Sequence, residues 1–574
     1  MSPEAPKETP ATGSGTDTDR EVAALPAEAW LRRGLVAFFF VYVTVRAFTL
    51  AITNDELGAL LGVYRSTLAN LITFQLVDAQ NHPLSGFLGI LFRDLLPASR
   101  EVFAIRLPSL LAFLAFAWGA YRLTGRLRDP RLRILGLAAL LANAFALDFF
   151  SLARGYALAL AFQMISLVFL VEIFLERRRP AYGEAKAQAA LWAAAASVIS
   201  HLAFLSYFVA TTGVLFLLGL LSRPIEGDGP RAPFREIPRE LLRQGYLVVC
   251  GALLGVFYLP IILLLKMQDL FYFGGTRGWV ADSVRTLLEA SLYRFEVPEV
   301  YVTLAAYGAV ALGLYLGGRA WLDAGSWQEP FRLPPAGLFF SLLAVMAAFS
   351  YTLHFAFGVR FVQERAALSL LPPALGLMVF AADRGEGSRR QVLALGLLAY
   401  TVLGFSQLNL HRTHSWEMSS DVRELVADLE EIHRREGRPM VLGMSDSTKY
   451  TTWFHADRSL SKKGKVETTD QTHARTIDWL TLYSINAAPE GAGLAFRPDP
   501  EGGPARPYGW LEIPAREDSA EGSLFVHTDT TYLLLRKGHG PEHYDLPAEP
   551  VKVYGESGNT LMRIRFTAES FRRR

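Results

Sequence analysis

The chain has 574 residues, 51% of them apolar and 20% charged, with a formal net charge of +2 and a mean hydropathy of +0.22. That balance excludes an ordinary soluble enzyme, and the near-zero charge argues against nucleic-acid binding as the main activity. The single cysteine, Cys250, excludes an intramolecular disulfide and leaves no cysteine-based zinc site in view. The averages conceal a split, because residues 34–408 are mostly long apolar runs while 409–574 are polar and mixed.

Residues 1–20 are rich in Pro, Thr, Ser and Gly and open a disordered cytoplasmic tail that extends to about residue 30. The first apolar run, 34–53, starts too late and is too long for a signal peptide. It reads as a spanning helix whose flanking Arg32 and Arg33 place the N-terminus in the cytoplasm. Further spans follow at about 106–125, 134–150, 155–175, 187–202, 205–221, 246–265, 299–317, 336–354, 366–382 and 391–408. The clusters Arg122 to Arg133, Arg177 to Arg179, Arg223 to Arg243 and Arg389/Arg390 all fall on the cytoplasmic side of one alternating topology. The reading is a polytopic α-helical protein of the inner (plasma) membrane, with about eleven spans over 31–408 and a C-terminal extracytoplasmic α/β domain over 409–574.

This topology puts 54–105 outside, with surface helices over 54–97. Leu57, Leu60, Leu61, Tyr64, Leu68 and Leu71 recur at three- and four-residue spacing, which predicts an amphipathic helix along the membrane face. Residues 82–96 are too short to span comfortably and carry Arg93 and Asp94, so they read as a re-entrant or interfacial helix opened by Pro83. Asp55 and Glu56 stand directly after the first span. Thr53 and Glu56 have the spacing of a capping box, and Asp55 suits the first turn of a helix; at the water–membrane boundary Asp55 can equally accept a proton from a hydroxyl. Asp78 suits a turn or a binding role, and His82 a helix start or a site.

Arginines also collect on the outer side, against the usual bias: Arg277, Arg285, Arg294, Arg360, Arg365 and Arg412. Anion binding explains them, and so does ordinary pairing, as between Arg285 and Glu289 four residues on. Arg360 and Arg365 are the preferred phosphate ligands because they flank the start of a span. In the loop FYFGGTRGWVADS, Tyr272, Phe273 and Trp279 offer faces to a sugar, and Gly274-Gly275 supplies flexibility. In the last region, 421–435 carries the helical stripe Val422, Leu425, Val426, Leu429 and Ile432, and strands are expected at 440–443, 532–536 and in a hairpin around Ser557-Gly558-Asn559.

An acidic pair after the first span, a surface helix, and then His82-Pro83 opening a short apolar helix resemble the GT-C membrane glycosyltransferases. The pattern is similar in particular to the dolichyl-phosphate-mannose–protein mannosyltransferases and their bacterial relatives, including the lipid A aminoarabinose transferases. AIRLPSLLAFLAF (104–116), SLARGYALALAF (151–162) and VRFVQERAALSLLPPALGL (359–377) resemble three further segments of that family. The departures are His82-Pro83-Leu84 for His-Pro-Pro, Arg154-Gly155 for Arg-Pro, and Phe361, which lacks a hydroxyl, as the aromatic after the late arginine. The resemblance implies a transferase that takes a sugar from a polyprenyl-phosphate-linked donor to a lipid, glycan or protein acceptor. Asp55 then resembles the catalytic base and Glu56 its acidic neighbour, His82 lines the site, and Arg154 and Tyr156 face the same cavity. No cofactor is implied with certainty, and a divalent cation is compatible with the chemistry. Two other readings stand beside it: a transporter or lipid flippase, and a non-catalytic scaffold whose outer domain binds cell-wall polymers.

Overall fold

The computed structural model describes residues 26–72, 82–176, 180–221, 244–267, 274–292, 295, 297–323, 334–437, 439–444, 446–456, 474–477, 480–484, 494–497, 506–513, 524–527, 532–535, 548–555, 557 and 559–564. The N-terminal tail, Asp78, Arg177 to Arg179, Arg223 to Arg243, Tyr272, Phe273 and Arg294 lie outside the described residues.

The helices, in chain order, are α1 (Pro26–Thr49), α2 (Asn54–Ala59), α3 (Leu68–Ile72), α4 (Pro83–Leu95), α5 (Glu101–Thr124), α6 (Pro130–Leu141), α7 (Ala144–Ser151), α8 (Gly155–Glu176), α9 (Pro180–Ser200) and α10 (Leu205–Leu221). They continue as α11 (Gly245–Met267), α12 (Arg285–Ala290), α13 (Glu299–Asp323), α14 (Pro335–Phe357), α15 (Leu371–Arg384), α16 (Gly387–Ser406), α17 (Val422–Glu436) and α18 (Asp446–Ala456). Each of the expected spans is helical over most of its length. Among the described residues, however, six helices are long and apolar enough to cross a membrane, or up to eight if each of two bent pairs is one span. Those pairs are α1 with α2 and the turn after it, bent by 74°, and α6 with α7, bent by 58°. Three expected spans fall short of that measure. α9 is alanine-rich and carries Glu184 and Lys186, α10 has 17 residues, and α16 opens with Arg389 and Arg390.

The core is aromatic and aliphatic, with Phe113, Phe145, Phe149, Phe204 and Phe339 fully buried. α11 and α13 by contrast leave Val256, Leu259, Leu304, Tyr307 and Leu314 exposed, the pattern of helices that face hydrocarbon.

The surface helix expected over 57–71 is broken. α2 runs into a π-helical turn at Leu60–Tyr64, where the Arg65 N–H donates to Leu60 O at 3.0 Å, and the chain turns before α3. The extra residue in that turn shifts the stripe: Leu57, Leu60, Val63, Tyr64 and Leu71 are buried, whereas Leu68 is exposed. Tyr64 anchors the turn by donating its hydroxyl to Ala153 O at 3.1 Å. α4 begins as expected, with Pro83 in its first turn and His82 at its N-cap. Arg93 bonds Tyr64 O and Asp94, which gives both charged residues of α4 a partner.

After residue 409 the chain forms a six-stranded mixed sheet in the order β2-β3-β1-β7-β9-β8. Its strands are β1 (Met440–Met444), β2 (Ala474–Ile477), β3 (Leu480–Ser484), β7 (Tyr532–Leu535), β8 (Ala548–Val553) and β9 (Thr560–Ile564). β1 runs parallel to β3 and β7, and β8 pairs antiparallel with β9. β4 (Leu494–Arg497), β5 (Arg506–Ile513) and β6 (Leu524–His527) form a smaller antiparallel sheet. α17 packs on the larger sheet through the five residues of its stripe, all buried. This unit is tied to the bundle at the end of α1. Arg423 donates to Phe48 O and Thr49 O (both 3.2 Å) and Leu50 O (3.1 Å), satisfying carbonyls that a helix C-terminus leaves open.

Candidate active site

The site begins at the bend after α1. Thr53 Oγ1 accepts the Glu56 N–H (3.2 Å) and Glu56 Oε2 accepts the Thr53 N–H (3.0 Å), so the capping box is complete. Arg106 of α5 crosses beneath it. Its Nε and Nη2 donate to Glu56 Oε1 (2.8 Å) and Oε2 (2.7 Å), its Nη1 to Ala47 O (2.9 Å) and Leu50 O (3.0 Å), and Nη2 again to Ala51 O (3.0 Å). All five guanidinium protons are used, which is what permits a fully buried charge at this depth. Glu56 Oε1 also accepts the Ala153 N–H at 2.7 Å. Glu56 is therefore closed to a substrate, being fully buried and saturated with donors. The sequence pairs Glu56 with Asp55 as catalytic; in the structure its bonds hold the bend after α1 in position against α5 and the start of α8.

That positioning decides what happens one residue along. Ala153 is bonded to Glu56, so Arg154 comes to rest beside Asp55, with Nη2 at 3.2 Å from Asp55 Oδ2. Arg365 reaches the same oxygen from the turn before α15, its Nη1 also at 3.2 Å. Both guanidiniums approach Oδ2 off the direct hydrogen-bond line. The Asp55 side chain is 16% exposed, Arg365 23% and Arg154 5%, so the cluster opens on the Arg365 side. Trp416, from the segment leading to α17, covers both cations. Its ring centroid lies 5.7 Å from the Arg154 guanidinium and 5.1 Å from that of Arg365, within cation–π range.

An aromatic row borders the arginines. His82 lies tilted against His201 (4.1 Å between centroids), His201 stacks on Tyr156 (3.7 Å), Tyr156 lies tilted against Phe149 (4.7 Å), and Phe149 meets the Trp416 ring edge-on at 6.0 Å. Burial, then the charges of Arg154 and Arg365, lower the His82 pKa to about 3. His82 therefore stands neutral beside two cations, and its Nε2 is buried without a hydrogen-bond partner. His201 is held at the end of α9, where its Nδ1 accepts the Ala203 N–H at 3.2 Å. The departure at Gly155 has a steric cause. A Cβ there would stand 2.1 Å from Ser200 O and 3.1 Å from the His82 ring, so only glycine lets α8 start against the end of α9.

Arg365 is held by a clamp that the sequence did not reveal. Gly275 and Phe361 exchange backbone hydrogen bonds (3.0 and 2.9 Å), Ser283 Oγ donates to Val362 O (2.6 Å), Gln363 Nε2 to Asp282 Oδ1 (3.0 Å), and the Glu364 N–H to Thr286 Oγ1 (2.8 Å). Glu364 sits at φ 44°, a left-handed conformation unusual for a non-glycine residue, directly before Arg365. Asp282 is buried and also accepts the Gly278 N–H at 3.0 Å. The Gly274-Gly275 pair, read from sequence as a source of flexibility, instead permits close packing: a Cβ on Gly275 would lie 1.9 Å from Asp282 Oδ1. Trp279 packs against the bundle core rather than standing free.

Other outer arginines are paired as ordinary surface charges. Arg285 lies 3.1 Å from Glu289 and 3.1 Å from Glu299, and Arg412 lies 2.6 Å from Glu417. Arg360 is exposed, one residue before the Phe361 bridge. Among the described residues no three His, Cys, Asp or Glu side chains gather as a metal site requires. Trp416, His201, Asp282 and Thr286 thus join Asp55, His82, Arg154, Tyr156 and Arg365 around this corner. Trp416, His201 and the Asp282/Thr286 pair lie far apart in sequence with no shared motif, and only the folded chain brings them together.

No family model matches the chain, and no curated protein matches it by sequence. Solved structures do. ArnT from Cupriavidus metallidurans, bound to undecaprenyl phosphate, is similar at 12% identity and a TM-score of 0.44, over 75% of this chain and 85% of that one. The oligosaccharyltransferase AglB from Archaeoglobus fulgidus, in complex with an inhibitory peptide and a dolichol-phosphate, is similar at 13% identity and a TM-score of 0.34, over 75% of this chain and 64% of that one.

Proposed function

We propose that the chain is an integral membrane glycosyltransferase that moves a sugar from a polyprenyl-phosphate-linked donor to an acceptor hydroxyl at the outer face of the membrane, with Asp55 as general base. In this topology the N-terminus is cytoplasmic and the region after residue 409 is extracytoplasmic. The observation that carries the reading is one partly open carboxylate set between two guanidiniums at the end of an apolar helical bundle. Such a transfer needs a proton acceptor and a cationic cradle for the departing phosphate. The acceptor oxygen bonds the anomeric carbon as its proton passes to Asp55. The bond from that carbon to the donor's phosphate oxygen breaks, and the lipid phosphate leaves with the electron pair.

Arg154 and Arg365 serve the phosphate, since a guanidinium fork matches its oxygens. As the phosphate takes the arginines, Asp55 is released toward the hydroxyl. His82 and Tyr156 border the sugar, and neutral His82 offers a hydrogen bond without adding a third cation. Arg360 extends the positive surface toward the bilayer. A transporter is the weaker reading, because the charged clusters sit at the ends of the helices rather than at mid-span. In purified protein supplied with a lipid-linked sugar donor, Asp55→Asn is expected to lower transfer by about 10³-fold with folding retained. Undiminished transfer by that variant removes Asp55 from the mechanism.

A further inference from the structure

We propose that Glu364 is a specificity-determining residue, whose carboxylate accepts hydrogen bonds from the hydroxyls of the donor's sugar. The inference rests on the transferase reading above and adds to it a contact that decides which donor is taken.

Glu364 opens the 3₁₀ turn Glu364–Leu370 that leads into α15. At φ 44° it is the one non-glycine residue with a left-handed backbone among the described residues. Glycine adopts that conformation without strain, and a residue with a Cβ does not. The clamp around Arg365 imposes it: the Glu364 N–H is bonded to Thr286 Oγ1 (2.8 Å) and the preceding Gln363 side chain to Asp282 (3.0 Å). Backbone strain of this kind collects at ligand sites, where the surrounding structure holds a side chain in a place the relaxed chain would not give it. Glu364 is exposed, and its carboxylate forms no hydrogen bond or ion pair with a described residue. A carboxylate in the first turn of a helix also suits the helix dipole. That role is open to any backbone conformation, however, and leaves the left-handed φ without a cause.

Two other polar groups at this corner are open as well. The Tyr156 hydroxyl bonds no described residue and lies within electrostatic range of Glu364, Asp55, Arg154 and Arg365. His82, joined to Tyr156 through the His201 ring, keeps its Nε2 unbonded. A phenol, a neutral imidazole and a carboxylate make the mixed set of donors and acceptors that sugar hydroxyls call for. Chemistry narrows what Glu364 meets. A carboxylate repels the lipid phosphate, whereas a hydroxyl donates to it in a charge-assisted bond. The sugar is covalently attached to the phosphate that Arg365 takes. Consecutive Cα atoms stand about 3.8 Å apart, so the residue beside Arg365 meets the sugar while Asp55 is kept for the acceptor.

Equilibrium binding to the full-length protein in detergent tests this. The ligands are undecaprenyl phosphates bearing glucose, mannose or arabinose, with bare undecaprenyl phosphate as the reference. Wild type is expected to bind at least one sugar-bearing lipid more tightly than the bare one. Glu364→Gln is expected to weaken that lipid about tenfold while the Kd of the bare lipid stays the same or falls, and Glu364→Asp to lie between. Glu364→Gly is expected to lose the preference yet melt no lower than the wild type, because glycine relieves the left-handed strain. Arg365→Gln is expected to weaken all four lipids alike. A preference retained by Glu364→Gln and Glu364→Gly, or changes of equal proportion in the sugar-bearing and bare lipids, overturns the proposal. So does a wild type that prefers none of the three sugars, or a preference lost when divalent cations are chelated. Binding of bare undecaprenyl phosphate that Arg365→Gln leaves unaltered overturns the underlying transferase reading instead.

Discussion

Ala153 donates its backbone N–H to Glu56 Oε1 at 2.7 Å, and through that bond the neighbours of these two residues, Arg154 and Asp55, come within 3.2 Å. Two consecutive carboxylates thereby do different work. Glu56 joins α1, α5 and the start of α8, while Asp55 faces the open side of the cluster.

Removing one partner of the Glu56–Arg106 pair leaves a fully buried charge uncompensated. Glu56→Gln and Arg106→Met are each expected to destabilise the fold by about 3–5 kcal/mol, and the double variant by less than their sum. Thermal denaturation in detergent measures all three. Additive losses would show that the two side chains act independently.

Gly155→Ala sets a methyl group against Ser200 O and the His82 ring. It is expected to cost about 1–3 kcal/mol and to displace Arg154 from Asp55. A melting temperature equal to that of the wild type would refute the close approach.

Trp416 lies within cation–π range of both guanidiniums, so under the proposed function it is expected to act by positioning the arginines. Trp416→Leu is expected to raise KM for the lipid-linked donor about tenfold with a smaller change in kcat, and Trp416→Phe to recover most of the loss. A Leu variant with unaltered KM would place Trp416 outside the site.

Asp282→Ala frees Gln363 and the Gly278 N–H and loosens the segment that presents Arg365. It is expected to reduce transfer more than it reduces melting temperature, with Asp282→Asn partly restoring the rate. An equal effect on both quantities would make the clamp purely structural.

Buried histidines make stability depend on acid, His82 and His455 among them. Burial, then neighbouring arginines, lower His82 and His455 to about 3 from an ordinary value of 6.5. In the unfolded chain each takes up a proton below about pH 6.5, whereas the folded chain resists until about pH 3. Their contribution is therefore fully present above pH 6.5 and is lost as the pH falls toward 3. His455→Phe is expected to flatten the loss in that window by about 1.4 kcal/mol per pH unit. Denaturation of the variant and wild type at pH 7, 6 and 5 measures the difference.

Local rules made part of this legible in the sequence. The three-residue interval from Thr53 to Glu56 announced the capping box, and the stripe from Val422 to Ile432 announced the buried face of α17. Hydropathy placed helices at every expected span, and among the described residues six of them, or up to eight with the bent pairs, are long and apolar enough to cross a membrane. The break in the surface helix was hidden, since the π turn at Leu60–Tyr64, bonded through Tyr64 to the distant Ala153 O, leaves no trace in periodicity. Arg106 and Glu56 are 50 residues apart, and Trp416 lies more than 260 residues from Arg154. Nothing in the spacing of such residues reports that they meet.

Arg46 and Asp148 form a fully buried ion pair at 2.7 Å, and each also grips the chain just ahead of Trp416: Arg46 through Arg412 O (2.6 Å) and Asp148 through the His414 N–H (2.9 Å). Seven residues past Trp416, Arg423 is fastened to the end of α1. The indole is thus pinned on both sides and does not swing like a hinged door. Under the proposed function, the Arg365 side, the more exposed edge of the cluster, is the expected entry for a lipid-borne donor, past a tethered Trp416.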